Sequence, residues 1–164
     1  MKNKNGFLLA EQTIKIIIAL IAIVLLVFLL VNLYYSRVRA ENQAAAINSL
    51  TGQNKIEDYI QVVNQGINVE PLEILRPKSW YLFSFTRDIR PNSCVGQNCL
   101  CICDNVGSFH LIKSFYTDEI ERQIEECDAN GACLVVENLI DRELEIEIPV
   151  NISIKKQDNN IVIS

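Results

Sequence analysis

Histidine is almost missing from this 164-residue chain: His110, between Phe109 and Leu111, is the only one. It reads as a strand residue, and a single imidazole builds neither a His-based metal cluster nor a paired acid–base site. No Cys-x-x-Cys pair occurs, which removes the usual low-pKa redox pair and the common zinc-finger spacing. Glycine and proline are sparse, 6 and 4 residues, and neither occurs between Phe7 and Thr51. Nothing in that stretch breaks a helix. Paired carboxylates in a setting that would split their pKa values are also absent. Glu125-Glu126 and the acidic run from Asp118 look like one solvated helix face. No internal repeat and no low-complexity linker is found. These absences argue against an enzyme, with no catalytic residue, no cofactor and no metal expected.

What is present begins with a hydrophobic run. Every residue from Ile16 to Val31 is apolar, and Ile14 and Leu33 extend the run beyond Lys15 and Asn32. About 20 such residues, at about 1.5 Å rise each, cover the roughly 30 Å hydrocarbon core of a bilayer. A soluble amphipathic helix would alternate; this one does not. The expectation is one transmembrane helix. Glu11 and Lys15 stand at its start, four apart with the acid first, so that on a helix they share a face and can pair. Ionisable residues at the edge of a membrane helix are functional candidates.

Together these residues carry a resemblance. Met1-Lys2-Asn3-Lys4-Asn5-Gly6 is a short basic leader ending in glycine, Phe7 follows, and Glu11 is the fifth residue after Gly6. Residues 1–35 thus resemble the N-terminus of the type IV prepilin and pilin-like family. The resemblance implies that a prepilin peptidase cuts between Gly6 and Phe7, that Phe7 becomes the first mature residue, and that Glu11 with Lys15 bears on assembly. Asn5, Leu8 and Lys15 depart from the commonest pattern. The leader is too short for a secretory signal, and the apolar run lacks a small-residue cleavage site behind it.

Charge sets the expected orientation. Removing Lys2, Lys4 and Lys15 from the 15 bases and Glu11 from the 20 acids leaves 12 against 19 beyond the span, a net of −7. Basic flanks stay in the cytoplasm, so the N-terminus is expected inside and residues beyond about 36 outside. An acidic external domain argues against nucleic acid as a partner.

The helix is expected to continue past the membrane. Tyr34 and Tyr35 sit at aromatic-belt level and Ala40, Ala44, Ala45 and Ala46 favour helix, giving one rod of about 45 residues. Asn54 with Glu57 reads as a capping box that opens a second helix, with Ile56, Tyr59, Ile60 and Val63 on one stripe and Gly66 as its stop. From Asn68 the texture is short strands. Those expected are 70–75, 79–86 (with Trp80, Tyr81, Phe83 and Phe85 supplying core), 100–103, 133–137 and the alternating 143–148. Thr117 is expected to cap a short helix with Ile120, Ile124 and Cys127 on one face. Residues 152–156 and 161–163 read as a hairpin turning at Asp158-Asn159-Asn160.

Cys94, Cys99, Cys101, Cys103, Cys127 and Cys133 make an even count in a small external domain, which reads as three disulfides. On a strand, Cys99, Cys101 and Cys103 project to one face, about 6.5–7 Å apart with parallel Cβ vectors, so they do not bond one another. Each needs a partner among Cys94, Cys127 and Cys133. Cys94 with Cys99 across a tight Val-Gly-Gln-Asn turn is favoured. Cys101 and Cys103 would then reach Cys127 and Cys133, in either pairing. A zinc site is the sharper alternative, disfavoured by spacing and by an exported setting. Asn151-Ile152-Ser153 matches the N-glycosylation sequon.

The expected architecture is α+β: residues 1–6 a leader, 7–50 a transmembrane and stalk helix, and 51–164 a small disulfide-stapled, antiparallel β-rich head outside the cell. The expected function is that of a subunit, cut by the peptidase and assembled with other pilin-like subunits into a pilus-like filament or pseudopilus. The alternative is a singly anchored external binding or adhesion protein. Membrane lipid is a partner in both.

Overall fold

The computed structural model describes residues 4–86, 90–105, 119–140 and 144–164, with side chains described from Thr13 in the first helix and from Glu121 in the third. Helix α1 runs from Lys4 to Leu50. The chain forms two compact units, Met1–Arg39 and Ala40–Ser164.

In the first unit every described residue from 13 to 37 is exposed, including Ile16 through Leu30 at about half or more of their surface. Among the described residues α1 is the one helix long and apolar enough to cross a membrane.

In the second unit the end of α1 acquires an inner face. Ala46 and Leu50 are fully buried, four apart on one side, while Ala44, Ile47 and Asn48 stay exposed. Gln43 donates to the Gly131 carbonyl at 3.2 Å and the Ser49 hydroxyl to the Arg76 carbonyl at 2.7 Å, so this last part of the helix is held within the second unit by polar contacts as well as packing. The Thr51 hydroxyl donates to the Ile47 carbonyl, and the chain turns away at Gly52 (φ +108°).

Helix α2 (Ile56–Asn64) buries Ile56, Ile60 and Val63 of the expected stripe, and Tyr59 is partly buried against the same core. Its N-terminus differs from the expected capping box. Lys55 is the N-cap, and the Asp58 carboxylate accepts from the Asn54 amide at 3.0 Å. Asn54 lies at φ +57°, outside the extended region an N-cap occupies, so its side chain does not cap the helix. The C-terminus follows expectation: Gly66 N–H donates to Val63 O and Ile67 N–H to Val62 O, a Schellman closure around a glycine at φ +85°.

The centre of the head is a four-stranded antiparallel sheet in the order β4-β3-β2-β5, with β2 at Tyr81–Phe85, β3 at Cys99–Cys103, β4 at Ala132–Val135 and β5 at Glu145–Glu147. All five residues of Cys-Leu-Cys-Ile-Cys in β3 are buried. That requires cover on both faces, and the period of two decides what each face holds. Leu100 and Ile102 join Leu82 and Trp80 in an aliphatic core that also receives Leu50, Ile56 and Ile60. Cys99, Cys101 and Cys103 face the other way. They are paired across the sheet with Phe85, Phe83 and Tyr81, and form a second, sulfur-rich cluster. The aromatic run therefore divides: Trp80 enters the aliphatic core, and the other three line the cysteine side, with ring centroids 6.0 and 6.2 Å apart.

Helix α3 (Glu119–Asn130) lies on the cysteine side, with Ile124 and Cys127 buried and Glu125 exposed. Its expected cap at Thr117, like His110, lies outside the described residues, and so does the side chain of Ile120. Two smaller antiparallel pairs close the aliphatic core. Strand β1 (Leu72–Ile74) pairs with β6 (Val150–Ile152), and β7 (Ile154–Gln157) with β8 (Asn160–Ile163). Ile152 thus belongs to β6 rather than to the final hairpin. That hairpin turns on two residues, Asp158 and Asn159, both at positive φ, which is the twist-matched geometry for a tight loop.

Candidate functional site

Two groups of residues carry the chemistry: the start of α1 and the sulfur layer of the head. Gly6, Phe7 and Glu11 all lie on helical backbone of α1. Their side chains fall outside the described ones, so the Glu11–Lys15 pairing is not described, and Lys15 follows on the same helix with its side chain exposed.

The sulfur layer is built by the alternation of β3. Cys99 bonds back to Cys94, in a 3-10 turn at Asn92–Cys94 that follows Pro91. Cys101 bonds to Cys133 and Cys103 to Cys127, so the two pairings left open by spacing resolve this way. Register explains it. Cys101 stands directly opposite Cys133 on β4, with Cα atoms 4.1 Å apart. The Val136 amide donates to Asn98 O, and counting along the ladder places the Cys101–Cys133 pair at a non-hydrogen-bonded position, where opposed residues approach most closely. Cys103, at the end of β3, is then left to Cys127 on α3.

The two disulfides on the β4 side are in contact. Cys101 Sγ lies 3.9 Å from Cys94 Sγ and 3.9 Å from Cys99 Sγ. The sulfurs of Cys94, Cys99 and Cys101 fall within 4.8 Å of one another, a spacing a metal could use. All six cysteines are oxidised in this arrangement, so none of those sulfurs is a thiolate able to ligate.

A carboxylate that the sequence did not single out fixes the turn carrying Cys94. Asp128 of α3 accepts from the backbone amides of Asn92 at 2.7 Å and Ser93 at 2.9 Å, and from the Ser93 hydroxyl and Asn92 amide side chains at 2.9 and 3.1 Å. Partial burial by itself would raise the pKa of Asp128. The four hydrogen bonds to its charged form outweigh that and hold it below its ordinary 3.8. On the opposite edge, partial burial and the neighbouring Glu147 carboxylate push the Tyr81 phenol above its ordinary 10.0. Asn105 donates to Glu145 there at 2.9 Å.

Gly131 is the single residue between α3 and β4. A Cβ at that position would stand 2.7 Å from Cys103 Cβ and 2.7 Å from Cys127 O, so the backbone there passes directly against the Cys103–Cys127 bridge. Asn151 of the sequon is exposed on β6 opposite Glu73. Apart from these, a small cleft lined by Ser84, Leu100, Leu139 and Leu144 measures about 10 Å³, no more than one water's room.

Comparison with known proteins adds no relative: no family model, no curated protein and no solved structure matches the chain.

Proposed function

We propose that this chain is a pilin-like subunit, held in the cell membrane by α1 with its N-terminus in the cytoplasm and its head outside. In this reading a prepilin peptidase cuts it between Gly6 and Phe7, and it assembles with other pilin-like subunits into a pilus-like filament or pseudopilus. The observation that carries the reading is the order Gly6-Phe7, Glu11, then an unbroken apolar helix. The exposure of that helix over residues 13–37 supports it, because such a surface suits either lipid or other helices of its kind. The alternative is a singly anchored binding or adhesion protein that does not assemble.

The chemistry of processing follows from charge. Lys2 and Lys4 tether the uncut chain to the cytoplasmic interface, since drawing each lysine through hydrocarbon costs about 2.5–3.5 kcal/mol even on the milder scale. Cleavage removes both and leaves one new cation, the amine of Phe7. Glu11 of a neighbouring subunit then attracts that amine, offsets its desolvation and sets the axial stagger between helices. Lys15 competes for Glu11 within its own helix until the neighbour's amine displaces it.

The test is assembly by variants of the full chain. Gly6→Leu is expected to block both processing, read as the mass of the membrane-bound protein, and recovery in surface filaments. Glu11→Ala is expected to be cut normally yet to assemble poorly, and Lys15→Ala to be milder than either. Glu11→Ala protein entering filaments as well as wild type would remove the pairing role and move the weight to the anchored binding protein.

A further inference from the structure

Five of the six cysteines are sealed in the head: Cys94, Cys99, Cys101 and Cys103 have no exposed surface and Cys127 has 2%. Cys133 differs. It is only partly buried and sits on β4, an edge strand of the central sheet. Its partner Cys101 touches both sulfurs of the next disulfide at 3.9 Å. Cys133 is therefore the one cysteine of the layer with substantial exposed surface, and its bonded partner is already in contact with a second S–S bond.

We propose that Cys133 is a thiol-modification site, and that Cys101 relays the exchange inward to the Cys94–Cys99 bond. The co-reactant is an aliphatic thiol. In the first step its thiolate attacks Cys133 Sγ; a mixed disulfide forms there, the Cys101–Cys133 bond breaks, and the electron pair stays on Cys101. A thiolate in this fully buried position is poorly solvated, which makes it basic and strongly nucleophilic. In the second step Cys101, released from Cys133, turns about its Cα–Cβ bond from its side-on position into line with the Cys94–Cys99 bond and attacks Cys94 Sγ; the Cys94–Cys101 bond forms, Cys94–Cys99 breaks, and Cys99 leaves with the pair and takes a proton from solvent. The number of disulfides is unchanged: one external thiol is consumed and one protein thiol appears.

Direction follows from strand geometry. Cys99 and Cys101 are two apart on β3, so their Cα atoms are about 6.5–7 Å apart with parallel Cβ vectors, a poor setting for a bond. Cys94 approaches from the separate 3-10 turn that Asp128 holds in place, so it is the sulfur that accepts Cys101. Cys103–Cys127 takes no part. The outcome is a head in which the edge-strand cysteine is free to carry a thiol adduct while β3 stays cross-linked to the turn.

The experiment uses the full chain in detergent. Wild type is incubated with reduced glutathione, quenched in acid, denatured, blocked with N-ethylmaleimide at low pH and mapped by peptide mass. The expected product carries glutathione on Cys133 and maleimide on Cys99, with Cys94 linked to Cys101 and Cys103 to Cys127. Label on Cys101 with Cys94–Cys99 intact would overturn the relay. A first adduct on any other cysteine, or no adduct at all, would overturn the assignment of Cys133. Cys133→Ser tests the second step without an added thiol. Its single unpaired sulfur is expected at Cys99, labelled several-fold more than Cys101, and the reverse ratio would refute the exchange.

Discussion

Replacing Gly131 by alanine adds one methyl group where the backbone passes directly against the Cys103–Cys127 bridge. The new Cβ would lie 2.7 Å from Cys103 Cβ, 2.7 Å from Cys127 O and 3.0 Å from Cys127 Cα. Carbon contacts are best at about 3.5–4.0 Å, so the methyl is about 0.5–1.3 Å too close to the two carbons. The neighbours have little room to yield. Cys103 and Cys127 are tied to each other by a disulfide, and Gly131 alone joins the end of α3 to the start of β4. Its carbonyl also accepts from Gln43 of α1. Relief therefore means shifting α3 against the sheet, an overpacking cost of about 1–3 kcal/mol. The assay is urea and thermal unfolding of the full chain in detergent, followed by fluorescence of Trp80, the only tryptophan and 5% exposed in the aliphatic core. For a unit of this size each kcal/mol moves Tm by roughly 2–8 °C. The cost is steric, so it should shrink when Cys103→Ala and Cys127→Ala together release the helix. A Gly131→Ala protein within about 0.5 kcal/mol of wild type, or an equal penalty with and without the bridge, refutes this account.

Three other outcomes are expected. Asp128→Asn should cost about 1 kcal/mol, as loss of a helix cap does, because an amide cannot accept from all four donors now on the carboxylate; the same unfolding assay reads it. Asp128 has a depressed folded pKa, so its contribution is fully present above its unfolded value near 3.8 and is lost as pH falls through the lower folded value. Wild type and Asp128→Asn should therefore converge in stability below about pH 4, and a constant gap down to pH 2 would count against it. Leu50→Ala, at a side chain 1% exposed, should cost about 2–5 kcal/mol, checked by the same unfolding assay. Removing the Cys103–Cys127 bridge with paired alanines should cost about 2–5 kcal/mol, read by the same denaturation.

Local features were legible along the chain because their causes are local. The apolar run from Ile16 to Val31 contains nothing that breaks a helix, and α1 is present as one uninterrupted element long and apolar enough to cross a membrane. Gly66 ends α2 because only a residue tolerant of positive φ closes that turn cheaply. Alternation made Cys99, Cys101 and Cys103 neighbours on one face, and that pattern limited their partners before any contact was known. The Asn54–Glu57 signal failed for a reason of the same local kind: a left-handed residue at Asn54 moved the cap one position on and brought in Asp58 instead.

What only the tertiary structure decided depends on which strands lie side by side. Nothing in spacing separates Cys101–Cys133 from Cys101–Cys127; the register of β3 against β4 does, by setting Cys101 across from Cys133 at 4.1 Å. The division of Trp80 from Tyr81, Phe83 and Phe85 between two cores follows from a sheet covered on both faces, which composition does not reveal. Asp128 and the turn at Asn92–Cys94 are about 35 residues apart in sequence, and only the seating of α3 on the sheet brings that carboxylate to those amides. The same seating makes Gly131 a steric necessity rather than a flexible link. The composition of the sulfur layer was therefore written in the order of residues, while its connectivity and its one partly exposed cysteine were set by long-range packing.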